Sequence, residues 1–285
     1  MGQGARSSGL VAAGLGWGVA AGVALGALLV APAMDDVSGG RPATTPAQSS
    51  KADAAESNAF ADDQVADAND LLASEGDAMV DGVLDGVAVT IIRTASATDE
   101  DAAAVRWKAN AAGASNSGGV RLTEKFTDMS AVDELATIIT STLPAGTQLS
   151  EDNRAPGTHA GESLAAALTT ASADDRALVL EALEQAGFVE LRGQIVPADV
   201  IVLVAADELD LSAEPTGDGE AFTAKVLSDF TAALGSGAPT VATGQGSLPQ
   251  LGEARTVSFA DTEAGRIRTV LQAGELADVP SEHDA

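Results

Sequence analysis

Residues 10–33 read LVAAGLGWGVAAGVALGALLVAPA, 24 positions without a charge, and an α-helix needs roughly 20 such residues to cross a bilayer. That run constrains the chain more than any other feature. Only 1–9 precede it, carrying Arg6 and the terminal amine, while Asp35 and Asp36 follow at once. The positive-inside rule therefore predicts a cytoplasmic N-terminus and an extracytoplasmic location for everything after Met34. Ala31-Pro32-Ala33 has the small-x-small shape of a signal-peptide cleavage site, but the apolar cores of such peptides are typically about 7–15 residues, so a retained anchor is the expectation. Gly14, Gly18, Gly22 and Gly26 recur every fourth residue and form a side-chain-free stripe, which favours helix–helix association in lipid through close packing. A homo- or hetero-oligomer through this helix is expected, because one helix cannot enclose a pore. No later stretch reaches the required length without charges.

The 42 acidic and 15 basic side chains leave a formal charge of −27. A chain that binds phosphate backbones needs a cationic surface, so nucleic acid is set aside as a partner. With no cysteine there is neither a thiolate metal site nor a cysteine nucleophile, and the two histidines are His159 and His283. His283 sits in a polar terminal tail, leaving His159 as the one candidate for histidine chemistry. Composition thus leans away from an enzyme. Residues 34–57 hold Gly39, Gly40, Pro42 and Pro46 among Ser, Thr and Ala and read as a flexible linker. Residues 58–84 carry a loose helical pattern, a stalk or packing segment, and 277–285 read as a disordered tail.

Between them, 85–276 alternate strand and helix signals. Expected strands are 87–92, 120–126, 188–191, 200–205, 240–243 and 256–259; expected helices begin at Asp99 and Asp174 and cover 131–142, 220–234 and 263–273. Asp99-Glu100-Asp101 suit the positive end of a helix dipole, and Gly113 can close the helix they open. The pattern predicts an α/β fold, a mainly parallel sheet flanked by helices, preceded by a single N-terminal transmembrane helix.

Sheets of this kind offer a ligand crevice at the carboxyl ends of their strands, yet none of the usual fingerprints falls there. The turn after the first strand, RTASAT, has no glycine, and Gly244-Gln245-Gly246 lacks the third glycine of a dinucleotide site and reads as a tight turn. No G-x-x-x-x-G-K-[ST] or G-x-S-x-G occurs. The pairs Asp62-Asp63 and Asp174-Asp175 sit at helix starts, where capping explains them. Leu209 and Leu211 occupy places where an EF-hand needs oxygen ligands. Copper(I) selects thioether, imidazole and thiolate ligands, and Met34, Met79 and Met129 are widely separated. His159, in PGTHAG, is read as a loop residue and only a weak metal candidate. The residues identify no catalytic group and no cofactor.

The order of certain segments is nevertheless distinctive. After the anchor come Ile91-Ile92-Arg93-Thr94, then Leu122-Thr123-Glu124-Lys125-Phe126 and the block LPAGTQLS with Leu143, Pro144 and Gly146. Gly161-Glu162-Ser163-Leu164, Gly187-Phe188-Val189 and Glu263-Ala264-Gly265-Arg266-Ile267 follow. This set resembles the actinobacterial copper transporter family named after MctB. The resemblance implies a cell-envelope protein, a pore-forming component in copper efflux and copper homeostasis, with copper as the ion handled. Related corynebacterial proteins of the SteB type imply an alternative, a non-enzymatic adaptor that docks or activates a peptidoglycan hydrolase in cell separation. The tether at 37–57 departs from the extended helical stalk of longer members. Barrels in outer membranes need alternating strands of about 9–11 residues, whereas the short apolar strands here predict an anchored, extracytoplasmic, water-soluble domain.

Overall fold

The computed structural model describes residues 66–210 and 217–278. The candidate span at 10–33 and the linker at 34–57 lie outside the described residues, and among these no helix is long and apolar enough to cross a membrane. The chain is helical over 66–80 (α1), and there follow β1 (Ala88–Arg93), α2 (Asp99–Ala111), β2 (Ser115–Leu122) and two 3-10 turns, Glu124–Thr127 and Met129–Ala131. Next come α3 (Val132–Thr142), α4 (Pro156–Leu168), α5 (Ala173–Gln185), β3 (Val189–Arg192) and β4 (Val200–Val204). α6 (Asp218–Gly237), β5 (Thr240–Thr243), β6 (Arg255–Val257) and α7 (Glu263–Ala277) complete the domain.

β4 reads VIVLV and is buried throughout, as a central parallel strand with helices on both faces requires. Around it the strands run in the order β3-β2-β1-β4-β5-β6. β1 lies parallel to both β2 and β4, β4 to β5 and β5 to β6, whereas β3 is antiparallel to β2. The sheet is therefore mixed, with the parallel pairs in the majority.

Alternation along the strands sorts the apolar side chains into two cores. Val89, Ile91, Val200, Val202, Val204 and Val241 meet Val105 of α2, Ile267 and Val270 of α7, Val80 at the end of α1 and Leu84 in the turn after it. On the opposite face Ile92, Leu122, Ile201 and Leu203 meet α3 to α6 through Leu135, Leu164, Leu183 and Phe230. Each such buried side chain contributes ~1.5–3 kcal/mol from apolar area removed from water.

Local chemistry starts the helices. Thr98 caps α2 in a reciprocal box with Asp101, Ser172 caps α5, and Thr262 caps α7. Three sequence expectations need correction. The second strand covers Ser115–Leu122, not 120–126: Gly118 and Gly119 hide it from a propensity reading, while 124–127 turn inward so that Phe126 meets Phe230 edge-on at 5.3 Å. The last strand is Arg255–Val257, and Phe259 beyond it adopts φ +62°. His159 stands on α4, not in a loop. Pro156 opens that helix, and its glycines, which read as breakers, serve packing: a β-carbon on Gly161 would lie 2.5 Å from the Phe230 carbonyl oxygen, and one on Gly157 would strike the Val226 carbonyl.

Candidate functional site

The sheet order reverses its direction of growth between β1 and β4, since β1 leads to β2 on one side and β4 to β5 on the other. At such a switch point the loops leaving the two strands diverge and open a crevice. Here the crevice has a volume of about 450 Å³ and lies between Ala95 and Ser96 after β1, Thr123 and Glu124 after β2, Glu208 after β4, and Phe222 and Leu227 on α6. Its floor is apolar and its rim carries Glu124, Asp128 and Glu208. Several rim groups are already engaged: Glu208 accepts the Ala206 amide at 2.9 Å, and Asp128 accepts that of Ser130 at 2.8 Å. The latter bond, with the Ser130 hydroxyl, holds the Asp128 carboxyl below its ordinary value. Thr123 donates its hydroxyl to the Gly187 carbonyl at 2.7 Å.

Beside the crevice, Arg93 ends β1 with its side chain buried on the α2 face of the sheet. Its guanidinium donates to the Ala97 carbonyl and pairs with Asp99 Oδ1 at 2.8 Å. Thr94 extends the strand pairing by donating its amide to the Val204 carbonyl at 3.0 Å. Around Arg93 gather three arginines from distant parts of the chain: Arg106 of α2, Arg121 of β2 and Arg192 of β3. Arg192 also reaches Asp99 Oδ1 at 2.8 Å, and Arg121 pairs with Glu190 at 2.7 Å. Burial lowers the pKa of Arg93, opposed by Asp99 and reinforced by Arg121 and Arg192. Burial likewise lowers that of Arg106, with repulsion from Arg192 acting in the same direction. The hydrogen bond from Arg192, and then the charge of Arg93, hold the Asp99 carboxyl below the usual carboxylate range.

Sequence reading singled out Arg93 from this group and missed the other three. A signal was present in part, since Asp99, Ala102 and Arg106 fall on one helical face and Gly118-Gly119 interrupts an otherwise strand-like run two residues before Arg121.

The remaining singled-out positions lie elsewhere. Leu143 and Pro144 follow α3, and a turn closed by the Thr147 amide on the Pro144 carbonyl puts Gly146 at φ +84°, a conformation glycine adopts without steric penalty. His159 donates Nε2–H to the Ser150 carbonyl at 3.0 Å, and Glu162, one turn on, accepts the Ser150 amide at 3.0 Å. The two side chains thus clasp one backbone unit against α4. Among the described residues no three His, Cys, Asp or Glu side chains are grouped to hold a metal ion. Gly265 and Arg266 fix the loop into α7. A β-carbon on Gly265 would strike the Phe259 carbonyl, and Arg266 donates to the carbonyls of Ala260 at 3.1 Å and Asp261 at 2.9 Å. That bracing keeps Phe259 in its left-handed conformation. Gly14, Gly18, Gly22 and Gly26 lie outside the described residues.

A family model described as "Copper transport outer membrane protein, MctB" matches residues 9–279. Among similar proteins, the copper transporter MctB of Mycobacterium tuberculosis is 31% identical over 224 residues, 70% of this chain and 70% of that protein. The protein of the same name from Mycobacterium leprae is 30% identical over 220 residues, 70% of this chain and 69% of its own length. With a family match running through both the candidate span and the α/β domain, and relatives at this identity and coverage, the chain belongs to the MctB family of copper transport proteins.

Proposed function

We propose that this chain is a membrane-anchored, extracytoplasmic member of the MctB family that serves copper homeostasis and efflux at the cell envelope. The observation that carries the reading is the family match over 9–279, which takes in the apolar run and the folded domain together. The names of the relatives support copper as the ion concerned. Residues 10–33 supply the anchor, with the short N-terminus in the cytoplasm and the domain outside. The sheet of the described residues is open at both edges, and we assign passage of copper to an assembly built on the anchor helix and its partners. The family is named for transport and no reaction is assigned to the chain.

Deletion and complementation test this reading. Cells lacking the protein should hold more copper and stop growing at lower copper concentrations, and the full chain should restore both. A second reading, an adaptor for a peptidoglycan hydrolase, is favoured by the crevice: its apolar floor and acidic rim suit a basic segment of a partner protein. Normal copper content together with chained, unseparated cells on deletion would sink the first reading in favour of the second.

A further inference from the structure

Although acids outnumber bases in this chain by 42 to 15, four arginines converge on one sheet face. Arg93, Arg121 and Glu190 stand in one cross-strand row over β1, β2 and β3, and Ile91, Gly119 and Arg192 stand in the next. Like charges directly opposite on neighbouring strands repel, so placing Arg93 beside Arg121 opposes folding in a protein with carboxylates to spare. Two carboxylates answer the four guanidiniums. Asp99 serves Arg93 and Arg192 through a single oxygen, and Glu190 serves Arg121. Arg106 makes no ion pair among the described residues, and the Nε atoms of Arg106 and Arg121 are both buried without a hydrogen-bond partner. Buried donors are rarely left so unless a ligand or water completes them. Gly119 makes the room: a β-carbon there would lie 3.0 Å from Arg106 Nη2. Between the guanidiniums remains a gap of about 20 Å³, the room of about one water. The Asp99 side chain, which closes this gap on one side, is 61% exposed, and its displacement would widen it.

We propose that Arg93, Arg106, Arg121 and Arg192 form a binding site for a doubly charged phosphoryl oxyanion, with Asp99 as an internal stand-in that the ligand displaces. Forked guanidiniums match the oxygens of such a group in pairs, and with Asp99 withdrawn only Glu190 offsets four positive charges. The ligand is either free phosphate or the phosphomonoester headgroup of a lipid, and the site stands apart from the copper reading. The full chain in nonionic detergent micelles at low chloride is titrated by calorimetry with inorganic phosphate and, separately, with short-chain phosphatidic acid. Saturable one-to-one binding is expected. Tighter binding of phosphate identifies the free anion as the source, and tighter binding of phosphatidic acid identifies the headgroup. Asp99→Asn should tighten binding about tenfold by removing the competitor, and Arg106→Gln or the more exposed Arg192→Gln should weaken it about tenfold or more. The proposal is overturned if neither probe binds saturably to the wild type or to Asp99→Asn, or if both arginine variants keep native circular dichroism and unchanged affinity.

Discussion

Lys108 shows how a single side chain ties the α2 face together. It is 4% exposed, and its ammonium reaches Asp77 of α1 at 2.6 Å and Glu263 of α7. Burial alone would lower its pKa, but the hydrogen bonds and charges of the two carboxylates prevail and hold it above the ordinary 10.5. A raised folded-state value means stability that is complete below pH 10.5 and is lost as the pH climbs through the folded value. Replacing Lys108 with Met leaves two acids facing each other and should lower stability by ~2–3 kcal/mol, less than a fully buried pair because Asp77 is solvated. Urea unfolding near neutral pH should show that loss, and the difference from wild type should shrink as the pH passes 10.5. Asp101 has the opposite sign. Burial raises its pKa, yet the Thr98 side chain and amide and the Gln245 amide together keep it below 3.8. Its contribution is present above pH 3.8 and lost as the pH falls through the folded value. Asp101→Asn should therefore cost ~1 kcal/mol near neutrality and converge on the wild type in acid.

At the scale of elements, the pairing of α4 with α6 depends on two glycines four residues apart. In an isolated helix Gly→Ala gains ~1 kcal/mol from propensity, whereas overpacking a tight contact costs ~1–3 kcal/mol. With the Phe230 carbonyl oxygen 2.5 Å from the new β-carbon and Ala233 Cβ at 2.8 Å, the second effect should win. Gly161→Ala should lower the urea midpoint without changing the slope. Leu178, exposed on α5, makes a neutral control when changed to Ala. The same four-residue spacing in Gly14, Gly18, Gly22 and Gly26 predicts a partner helix in the membrane. Leucine at positions 18 and 22 should reduce association in a membrane two-hybrid assay, and an undiminished signal there would end the glycine-stripe idea.

For the whole molecule, the charge of −27 implies self-repulsion that opposes compaction. Raising sodium chloride from ~0.01 M to ~0.15 M shortens the Debye length from ~30 Å to ~8 Å. Thermal unfolding of the full chain in nonionic detergent should accordingly shift upward by a few degrees, and a downward shift would mean that the ion pairs around Asp99 and Lys108 outweigh the general repulsion.

Much of this architecture is written locally and was readable in advance. The β-branched run at 200–205 anticipated β4, 240–243 anticipated β5, and the acids after Thr98 anticipated α2, because strand burial and helix capping depend on neighbours in the chain. α4 was missed since Pro156, Gly157 and Gly161 carry the composition of a loop, and only the backbone of α6, some seventy residues on, gives those glycines their purpose. The arginine cluster was hidden for a related reason. Arg93, Arg121 and Arg192 become neighbours only through the register of β1 with β2 and of β2 with β3, and Arg106 joins them from α2, its guanidinium lying over Gly119. By itself the sequence determined the family, the alternation of strands and helices, and an apolar run long enough to cross a membrane. The tertiary structure decided the strand order, the antiparallel β3 and the convergence of four positive charges, because these rest on pairings between segments that local propensity and periodicity do not encode.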